Sequence, residues 1–330
     1  MIRRPPRSTL SSSSAASDVY KRQFIEECQK FAVEQMHPMI KDFKRVGVWL
    51  DWERPYITFK NEYIEGAWWA LKRAQENGYL YLGEKAMTWC PRCATALAKH
   101  ELEYETVTEN SIFVKLKVKG RQNEYLIIWT TTPWTMPFNL AVMANPELEY
   151  VKARIEGANE IWILAKGMAP SVITAVAGKK FEIAEEFKGE ELEGLEYEPL
   201  FAEELPVSAD IKKKSPNSFT VLLSKEYVSL GSGSGLVHCA PGCGPEDYEV
   251  GRKYKIPPFN ELDEHGKMNE SMGIFKGLVA KKDDKKFIEI IKNKGVLVDT
   301  APVEHEYAHC WRCKTGVVYK TTDQWFLAVE

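Results

Sequence analysis

Residues 127–140 read IIWTTTPWTMPFNL, and they lead from an apolar run into three consecutive threonines. A strand is predicted to end here, because Pro133 has no backbone N–H and restricts the residue before it to extended conformations. The hydroxyl groups of Thr130, Thr131 and Thr132 would then leave regular strand pairing and could face a ligand. The alternative is an ordinary polar strand end, in which a threonine hydroxyl closes a turn of its own backbone.

The residues before this stretch predict a half-exposed strand, because Val114, Leu116 and Val118 alternate with lysines. Further strands are predicted at residues 124–129, 150–154, 161–165 and 219–223. Helices are predicted from residue 24 until Pro38 interrupts the pattern, from about residue 60 to Asn77-Gly78, and at residues 171–176, 245–254 and 283–293. A β-rich block therefore lies inside a chain whose first part is helical.

Composition limits the class of protein. The chain has 330 residues, 44% of them hydrophobic and 28% charged, which is enough for two modest domains with real cores. No apolar run approaches the roughly 20 residues that a membrane helix needs, so we expect no membrane span. The net charge of −3 neither requires nor excludes RNA, which would have to bind at basic patches such as Lys212-Lys213-Lys214.

The first 23 residues differ from the rest, since they are rich in arginine and serine and contain one acidic residue, Asp18. An organellar transit peptide has a similar composition. The stretch resembles translated adapter sequence more closely, so we treat residues 1–23 as a non-native or disordered leader. The folded chain is then expected to begin at Phe24.

Four of the seven cysteines form two Cys-x-x-Cys pairs, Cys90 with Cys93 and Cys310 with Cys313. Two such pairs supply the four thiolates of a tetrahedral structural zinc. Closing the long loop between them costs about 5 kcal/mol, whereas a structural zinc contributes roughly 10 to 16 kcal/mol. We therefore predict one shared zinc; two unrelated thiol pairs and redox chemistry are the alternatives, and His309 is a possible substitute ligand. The pattern suits a reducing cytosol, and Cys28, Cys239 and Cys243 are expected to be small buried hydrophobes.

A second segment, residues 231–250, reads GSGSGLVHCAPGCGPEDYEV and combines glycines, a short apolar strand, His238 and Asp247. Glycines let a backbone approach a ligand closely, but the lysine of a phosphate-binding loop does not follow them. One histidine, one carboxylate and the threonine hydroxyls could instead hold an amino-acid ester for attack by water. The alternative is a hydrogen-bonded core histidine and a solvated carboxylate at a helix start.

The two segments together, WTTTPWTMPFN and GSGLVHCAPGCGPEDY, resemble the two halves of the editing site of class I isoleucyl-tRNA synthetases. Pro133 and Trp134 favour this family over its valyl and leucyl relatives, which usually carry a Thr-x-Arg-Pro version. GVWLDWERPYITFKNEYIEGAWW, TWCPRCATALAKHELEYE and the segments HCWRCKT and TTDQWF resemble flanking parts of the catalytic domain, more like the archaeal and eukaryotic cytosolic branch. The resemblance covers residues 24–330.

The resemblance implies an α/β fold with a β-rich inserted domain. Parts of a Rossmann-like catalytic domain, residues 24–110 with the first zinc knuckle and 301–330 with the second, would flank a β-barrel-like editing domain, residues 111–300. It also implies the site residues, which are Thr130, Thr131, Thr132, His238 and Asp247 for editing, Trp134, Thr135, Asn139 and Trp325 for substrate binding, and Cys90, Cys93, Cys310 and Cys313 for zinc. Asp247 matches the carboxylate that grips the substrate ammonium, and His238 the histidine that shapes the pocket against isoleucine.

By the same resemblance, the full-length enzyme would use ATP and magnesium to attach isoleucine to tRNA(Ile) and would hydrolyse mischarged Val-tRNA(Ile). No His-x-Gly-His and no Lys-Met-Ser-Lys-Ser stretch occurs in the 330 residues, and those stretches bind ATP in the family. The chain is therefore expected to be an internal fragment of a monomeric cytoplasmic enzyme that carries at most the editing activity. A zinc-ribbon RNA-binding module without catalysis and a free-standing aminoacyl-tRNA deacylase are the alternatives.

Overall fold

The computed structural model describes residues 14–329, which form two compact units. One unit comprises residues 14–81 and 325–329, and the other comprises residues 82–324. No helix in the described part of the chain combines the length and the hydropathy that crossing a bilayer requires.

The smaller unit contains two helices, α1 (Ser14–Arg45) and α2 (Asn61–Glu76). The start of α1 at Ser14 differs from the start expected at Phe24, so residues 14–23 of the proposed leader are helical, while residues 1–13 lie outside the described residues. The predicted break at Pro38 is also wrong, because α1 continues through it. An interior proline removes one hydrogen bond and crowds the preceding turn, but good helix formers on both sides carry the helix past it.

The second predicted helix is confirmed. It ends before Asn77, and Gly78 follows in a left-handed conformation with φ of 75°. No residue of α2 is buried within the described structure.

The larger unit contains the strands. Its elements are β1 (Leu80–Cys90, which begins in the smaller unit), β2 (Thr95–Ala96), β3 (Leu102–Lys117), β4 (Glu124–Thr130), β5 (Ala141–Ala144), β6 (Glu149–Ile155), β7 (Ile161–Ala165), β8 (Phe181–Lys188), α3 (Val207–Lys214), β9 (Thr220–Leu223), β10 (Leu236–Cys239), α4 (Pro245–Tyr254), α5 (Asp284–Asn293), β11 (Leu297–Cys310) and β12 (Val318–Leu327, which ends in the smaller unit). A 3₁₀ helix, Pro133–Phe138, follows β4, and a π-helix covers Pro170–Val176. The strands and short helices predicted for this region are therefore confirmed, with β3 starting earlier than expected.

Most of these strands form one mixed sheet of nine strands, in which seven follow the order β8-β6-β7-β4-β10-β5-β9 and β3 joins β4 to β11. Between described residues no pairing connects β8 with β9. Isolated bridges of Tyr197 with Val118, directly after β3, and of Glu196 with Thr220 in β9 nevertheless join β9 to the end of β3. The sheet is therefore curled into a half-barrel, in line with the β-barrel-like domain that the resemblance implies. Val114 and Leu116 in β3, and Val118 directly after it, are fully buried, as their alternation with lysines predicts.

Strand β4 is the branch point of this sheet. One edge pairs antiparallel with β3 over residues 125–130. The other edge pairs in parallel with β7 at residues 124–126 and with β10 at Trp129. Strands β7 and β10 therefore share one edge of β4, and β10 pairs with the end that leads into the threonines.

Strands β3 and β11 form a long antiparallel ribbon, paired from Val114 with Leu297 to Leu102 with Cys310. The predicted domain boundaries at 110/111 and 300/301 lie inside these two strands. The ribbon belongs entirely to the larger unit, together with both cysteine pairs. Continuous hydrogen bonding across the predicted boundaries is the reason why they do not separate compact units.

Apolar side chains pack on both faces of the sheet. The main core joins strands β3, β4, β5, β9 and β10 to the 3₁₀ helix and α5, with Trp134, Phe138 and Phe287 among its members. A second core lies under the π-helix around Trp162 and Ile173. A third, small cluster surrounds Cys90 and Cys310.

Candidate functional site

The two segments singled out in the sequence meet because β4 and β10 are parallel neighbours. Val237 pairs with Trp129, so the carboxyl ends of the two strands lie at the same edge of the sheet. The threonines leave that edge from β4, and His238 and the loop to α4 leave it from β10. Loops at the carboxyl ends of parallel strands are a frequent place for ligand sites.

The glycines before β10 serve packing. Gly235 has φ of 76°, and a side chain there would come within 2.3 Å of the Cβ of Ala165 in β7. The backbone oxygen of Ser234 accepts a hydrogen bond from Ala165 at 2.9 Å. Gly235 therefore allows a close approach to the protein's own strand, whereas the sequence suggested approach to a ligand.

The three threonines have different environments. Thr130 is buried, and its hydroxyl oxygen accepts a hydrogen bond from the backbone N–H of Thr132 at 3.0 Å. Thr131 and Thr132 are partly exposed, and their hydroxyl oxygens lie 3.3 Å apart. Thr130 thus closes a local turn, while the other two hydroxyls remain available to a ligand.

His238 lies in a buried hydrogen-bonded chain. Its Nδ1 is 2.8 Å from Nδ2 of Asn139, and its Nε2 is 3.0 Å from the hydroxyl oxygen of Thr135. Asn139 Nδ2 also donates to the carbonyl of Ala141 at 2.9 Å, and Asn139 Oδ1 accepts from the Tyr197 hydroxyl at 2.6 Å. These partners fix the amide orientation, since a backbone carbonyl can only accept.

The chain of donors assigns the tautomer of His238. Because Asn139 donates to Nδ1, the ring proton lies on Nε2 and is donated to Thr135. The hydroxyl of Thr135 then donates to the carbonyl of Thr132 at 2.7 Å. Burial lowers the pKa of His238 to about 3. The ring is therefore neutral with both nitrogens bonded, and it fixes the start of the 3₁₀ helix beside the threonines.

Asp247 lies in the first turn of α4 and is partly buried. Its Oδ2 accepts a hydrogen bond from the backbone N–H of Ala240, two residues after His238, at 3.1 Å. No described residue donates to its Oδ1. Burial raises the pKa of Asp247 to about 7, although the Ala240 bond opposes this shift. A bound cation at Oδ1 would favour the ionised form.

The four cysteines of the two pairs come together in a second cluster. Their sulfur atoms all lie within 4.8 Å of one another, and Sγ of Cys90 is 3.4 Å from Sγ of Cys313. Four thiolates around a tetrahedral zinc lie about 3.8 Å apart. The donor set and its spacing therefore fit such an ion.

The two Cys-x-x-Cys turns have the same backbone geometry. Ala94 N–H donates to the carbonyl of Cys90 and Lys314 N–H to that of Cys310, both at 2.8 Å. Ala94 and Lys314 also share a left-handed conformation, with φ of 52° and 58°. Each turn follows a strand end, β1 and β11, so the fold builds two equivalent knuckles that face each other.

Comparison with known proteins assigns the family. The family model described as tRNA synthetases class I (I, L, M and V) matches residues 9–330. This chain belongs to the class I tRNA synthetases.

Relatives with curated descriptions agree with this assignment. Isoleucine–tRNA ligase of Pyrococcus abyssi is 49% identical over 311 residues, which cover 93% of this chain and 29% of that protein. Isoleucine–tRNA ligase of Methanopyrus kandleri is 44% identical over 314 residues, again 93% of this chain and 29% of that protein. This synthetase chain thus spans 29% of the length of these relatives.

A solved editing domain, that of the cytosolic leucyl-tRNA synthetase of P. knowlesi, has a TM-score of 0.41 and 13% identity. The similarity covers 60% of this synthetase chain and 97% of that one. A TM-score below 0.5 does not establish a common fold.

The two tryptophans predicted to bind substrate in the synthetase chain have very different environments. Trp134 is 1% exposed, and its ring packs in the main core against Phe138, so it offers no surface to a ligand. Trp325 is 70% exposed on β12 and belongs to the smaller unit. Trp134 faces inward because the whole 3₁₀ helix from Pro133 to Phe138 is buried.

Sequence reasoning missed Tyr197, whose hydroxyl is the buried donor to Asn139. It lies 58 residues from Asn139 and outside the named strands. A bridge to Val118 and a backbone hydrogen bond from its own N–H to the carbonyl of Phe219, at 3.1 Å, hold it between the end of β3 and the start of β9. Nothing in the local sequence marks this contact.

Proposed function

We propose that this chain is an internal part of an isoleucine–tRNA ligase and carries the site that hydrolyses mischarged Val-tRNA(Ile). The observation that carries the proposal is the parallel pairing of β4 with β10. This pairing directs the partly exposed hydroxyls of Thr131 and Thr132 and the carboxylate of Asp247 to one edge of the sheet. The motif resemblance and the family assignment support the same function.

The proposed reaction is hydrolysis of an aminoacyl ester by water. The water oxygen bonds to the ester carbonyl carbon, the bond to the terminal ribose oxygen breaks, and that oxygen receives a proton. The products are valine and uncharged tRNA. No covalent intermediate with the protein is needed.

Asp247 is proposed to hold the α-ammonium group of valine through Oδ1. An ammonium group next to the carboxylate stabilises the charged form of both partners and favours ionisation of Asp247. The hydroxyls of Thr131 and Thr132 can each donate and accept a hydrogen bond, so they can orient the ester carbonyl and the attacking water.

His238 acts in this proposal as a wall of the pocket and a support of the threonine turn. Its two ring nitrogens are already bonded to Asn139 and Thr135, and its low pKa keeps it neutral at physiological pH. It therefore neither accepts the proton of the water nor carries a charge toward the substrate.

A second site is required because valine lacks one methylene of isoleucine. The pocket that selects the amino acid for attachment can discriminate against valine by only about 1 to 3 kcal/mol of binding free energy. This range was established on isoleucyl-tRNA synthetases themselves. A pocket too small for isoleucine can then remove the valine that was attached by error.

The remaining functions belong to the longer protein. We propose that it uses ATP and magnesium to attach isoleucine to tRNA(Ile), and that it acts as a cytoplasmic monomer. Cys90, Cys93, Cys310 and Cys313 would hold a zinc ion, which supplies a structural cross-link between the two knuckles when bound.

The experiment is deacylation by the purified 330-residue chain. Val-tRNA(Ile) should be hydrolysed much faster than Ile-tRNA(Ile), and Asp247→Ala should abolish the difference. Binding of both tRNAs without turnover would instead identify an RNA-binding module. Hydrolysis of mischarged tRNA with no preference for valine over isoleucine would also contradict the proposal.

A further inference from the structure

A basic cleft lies along α4, from Tyr248, which directly follows Asp247, to Lys255, just past the end of the helix. It is open, has a volume of about 380 Å³, and is lined by Lys214, Arg252 and Lys255 together with Tyr248. Ser215 and Ile256, both buried, form its floor. None of the residues that line it is acidic, so the cleft presents three positive charges to solvent.

These three cations are free of ion pairs within the described structure, unlike their neighbours on α3. Lys212 lies 3.3 Å from a carboxylate oxygen of Glu196, and Lys213 lies 3.3 Å from one of Asp210. Lys214, Arg252 and Lys255 are exposed and have no carboxylate within 4 Å among the described residues. Their charge is therefore available to an anionic partner.

The backbone around the cleft is held in place. The hydroxyl of Ser215 donates to the carbonyl of Lys255 at 2.9 Å, and Nδ2 of Asn217 donates to that of Tyr254 at 2.8 Å. These bonds join the ends of α3 and α4. The hydroxyl of Tyr248 donates to the carbonyl of Glu84 at 2.6 Å, which fixes the aromatic ring at the cleft.

Helix α4 connects this cleft to the candidate editing site at a fixed distance. A side chain on Gly251 would come within 2.7 Å of Pro241, so α4 packs closely on the loop that follows His238. From Asp247, Arg252 lies about 7.5 Å and Lys255 about 12 Å further along the helix. Phosphates of a stacked strand repeat about every 3.4 Å, so this distance spans roughly two to four nucleotides.

We propose that the cleft binds backbone phosphates of a single-stranded RNA 3′ end whose terminal ester lies at Asp247 and the partly exposed threonines. The guanidinium of Arg252 and the ammonium groups of Lys214 and Lys255 contact phosphate oxygens, and Tyr248 offers an aromatic face to a base or ribose. This inference rests on the proposed function for the position of the ester, and it adds the surface that holds the strand.

The test measures binding of a fluorescein-labelled single-stranded RNA of eight nucleotides by anisotropy, in 50 to 300 mM KCl. The cleft variant combines Lys214→Gln, Arg252→Gln and Lys255→Gln. The control combines Lys282→Gln, Lys285→Gln and Lys292→Gln, which removes the same charge at exposed lysines around α5. Both are made in the 330-residue chain, and circular dichroism verifies their folding.

The cleft variant should bind at least tenfold more weakly at 50 mM KCl. Its slope of log affinity against log salt should fall by about 2, because each phosphate contact on a single strand contributes about 0.7. The control should stay within twofold of the parent chain. Equal losses in the two variants, or no loss in the cleft variant, would overturn the proposal.

Hydrolysis of two substrates separates this proposal from the editing function. The cleft variant should raise KM for Val-tRNA(Ile) while leaving hydrolysis of 3′-O-valyl-adenosine, which has no phosphate, unchanged. An unchanged KM for Val-tRNA(Ile) in the cleft variant would contradict the proposed role of the cleft and would leave the editing function unaffected. A different result would be that the parent chain hydrolyses neither substrate, while RNA binding is weakened in the cleft variant and not in the control. That result would contradict the editing function and support RNA binding by the cleft.

Discussion

The Nδ1 atom of His238 accepts a hydrogen bond from Nδ2 of Asn139 at 2.8 Å, deep inside the protein. Tyr197 orients Asn139 from its other side, and the hydroxyl oxygen of Thr135 accepts a hydrogen bond from Nε2 of His238. The chain of bonds ends at the carbonyl of Thr132, beside the partly exposed hydroxyls. The geometry of the candidate site thus depends on buried residues that lie behind the two partly exposed threonines.

Removing the Tyr197 hydroxyl should destabilise the larger unit. Tyr197→Phe leaves Oδ1 of Asn139 buried without its donor, so we expect the free energy of unfolding to fall by about 1 to 3 kcal/mol in urea titrations. Tyr227→Phe is the matched control, because it removes a hydroxyl that bonds Glu249 at the surface and should cost little. Equal stabilities of the two variants would show that the buried chain contributes nothing.

The three threonines should separate into two classes when each is replaced by valine, which keeps the shape and removes the hydroxyl. Thr131→Val and Thr132→Val should slow hydrolysis of Val-tRNA(Ile) tenfold or more with little change in stability. Thr130→Val should lower the free energy of unfolding by about 1 kcal/mol, because its hydroxyl accepts the backbone N–H of Thr132. Equal effects of all three variants on hydrolysis would contradict this division.

Stability should depend on the ionisation of Asp247. Its pKa is raised from 3.8 to about 7, so the folded chain retains a proton that the unfolded chain has lost. The free energy of unfolding therefore falls on this account as pH rises from about 4 to about 7. Asp247→Asn removes the penalty, and its stability relative to the parent chain should increase steadily between pH 4.5 and 7.5.

The pKa of His238 is shifted in the other direction, so its effect on stability has the opposite dependence on pH. His238 is present in both the parent chain and Asp247→Asn. With a pKa lowered from 6.5 to about 3, it stabilises the fold at neutral pH and loses that contribution as pH falls below about 6.5. The relative stability of Asp247→Asn should still follow the rising trend with pH. A flat difference between pH 4.5 and 7.5 would mean that Asp247 ionises normally.

The cysteine cluster predicts one zinc per chain by metal analysis of protein purified without chelator. Cys310→Ser should reduce the stoichiometry to none, because it removes one of four converging sulfurs. Cys28→Ser is the control. Cys28 is exposed on α1, so its predicted burial is wrong, and its replacement should leave the zinc content unchanged. Chelation should also increase amide exchange at the end of β11 next to Cys310. Unchanged zinc in Cys310→Ser would rule out the shared site.

Local sequence determined much of the architecture. The alternation of Val114, Leu116 and Val118 with lysines predicted a strand with one buried face, and the spacing of the cysteine pairs predicted their cluster. These features depend on side-chain period and ligand chemistry, which a short stretch of chain already contains. The helix through Pro38 was missed because one residue with poor helix propensity does not outweigh a long helical context.

Tertiary structure alone decided what the site residues can do. Three adjacent threonines look alike in the sequence, yet parallel pairing and the following turn bury Thr130 and leave Thr131 and Thr132 partly exposed. The tautomer of His238 depends on Asn139 and Tyr197, which are distant in the chain. Trp134 marks the motif but packs in the core. Local sequence sets strand ends and ligand types, whereas burial and long-range hydrogen bonds set protonation and access.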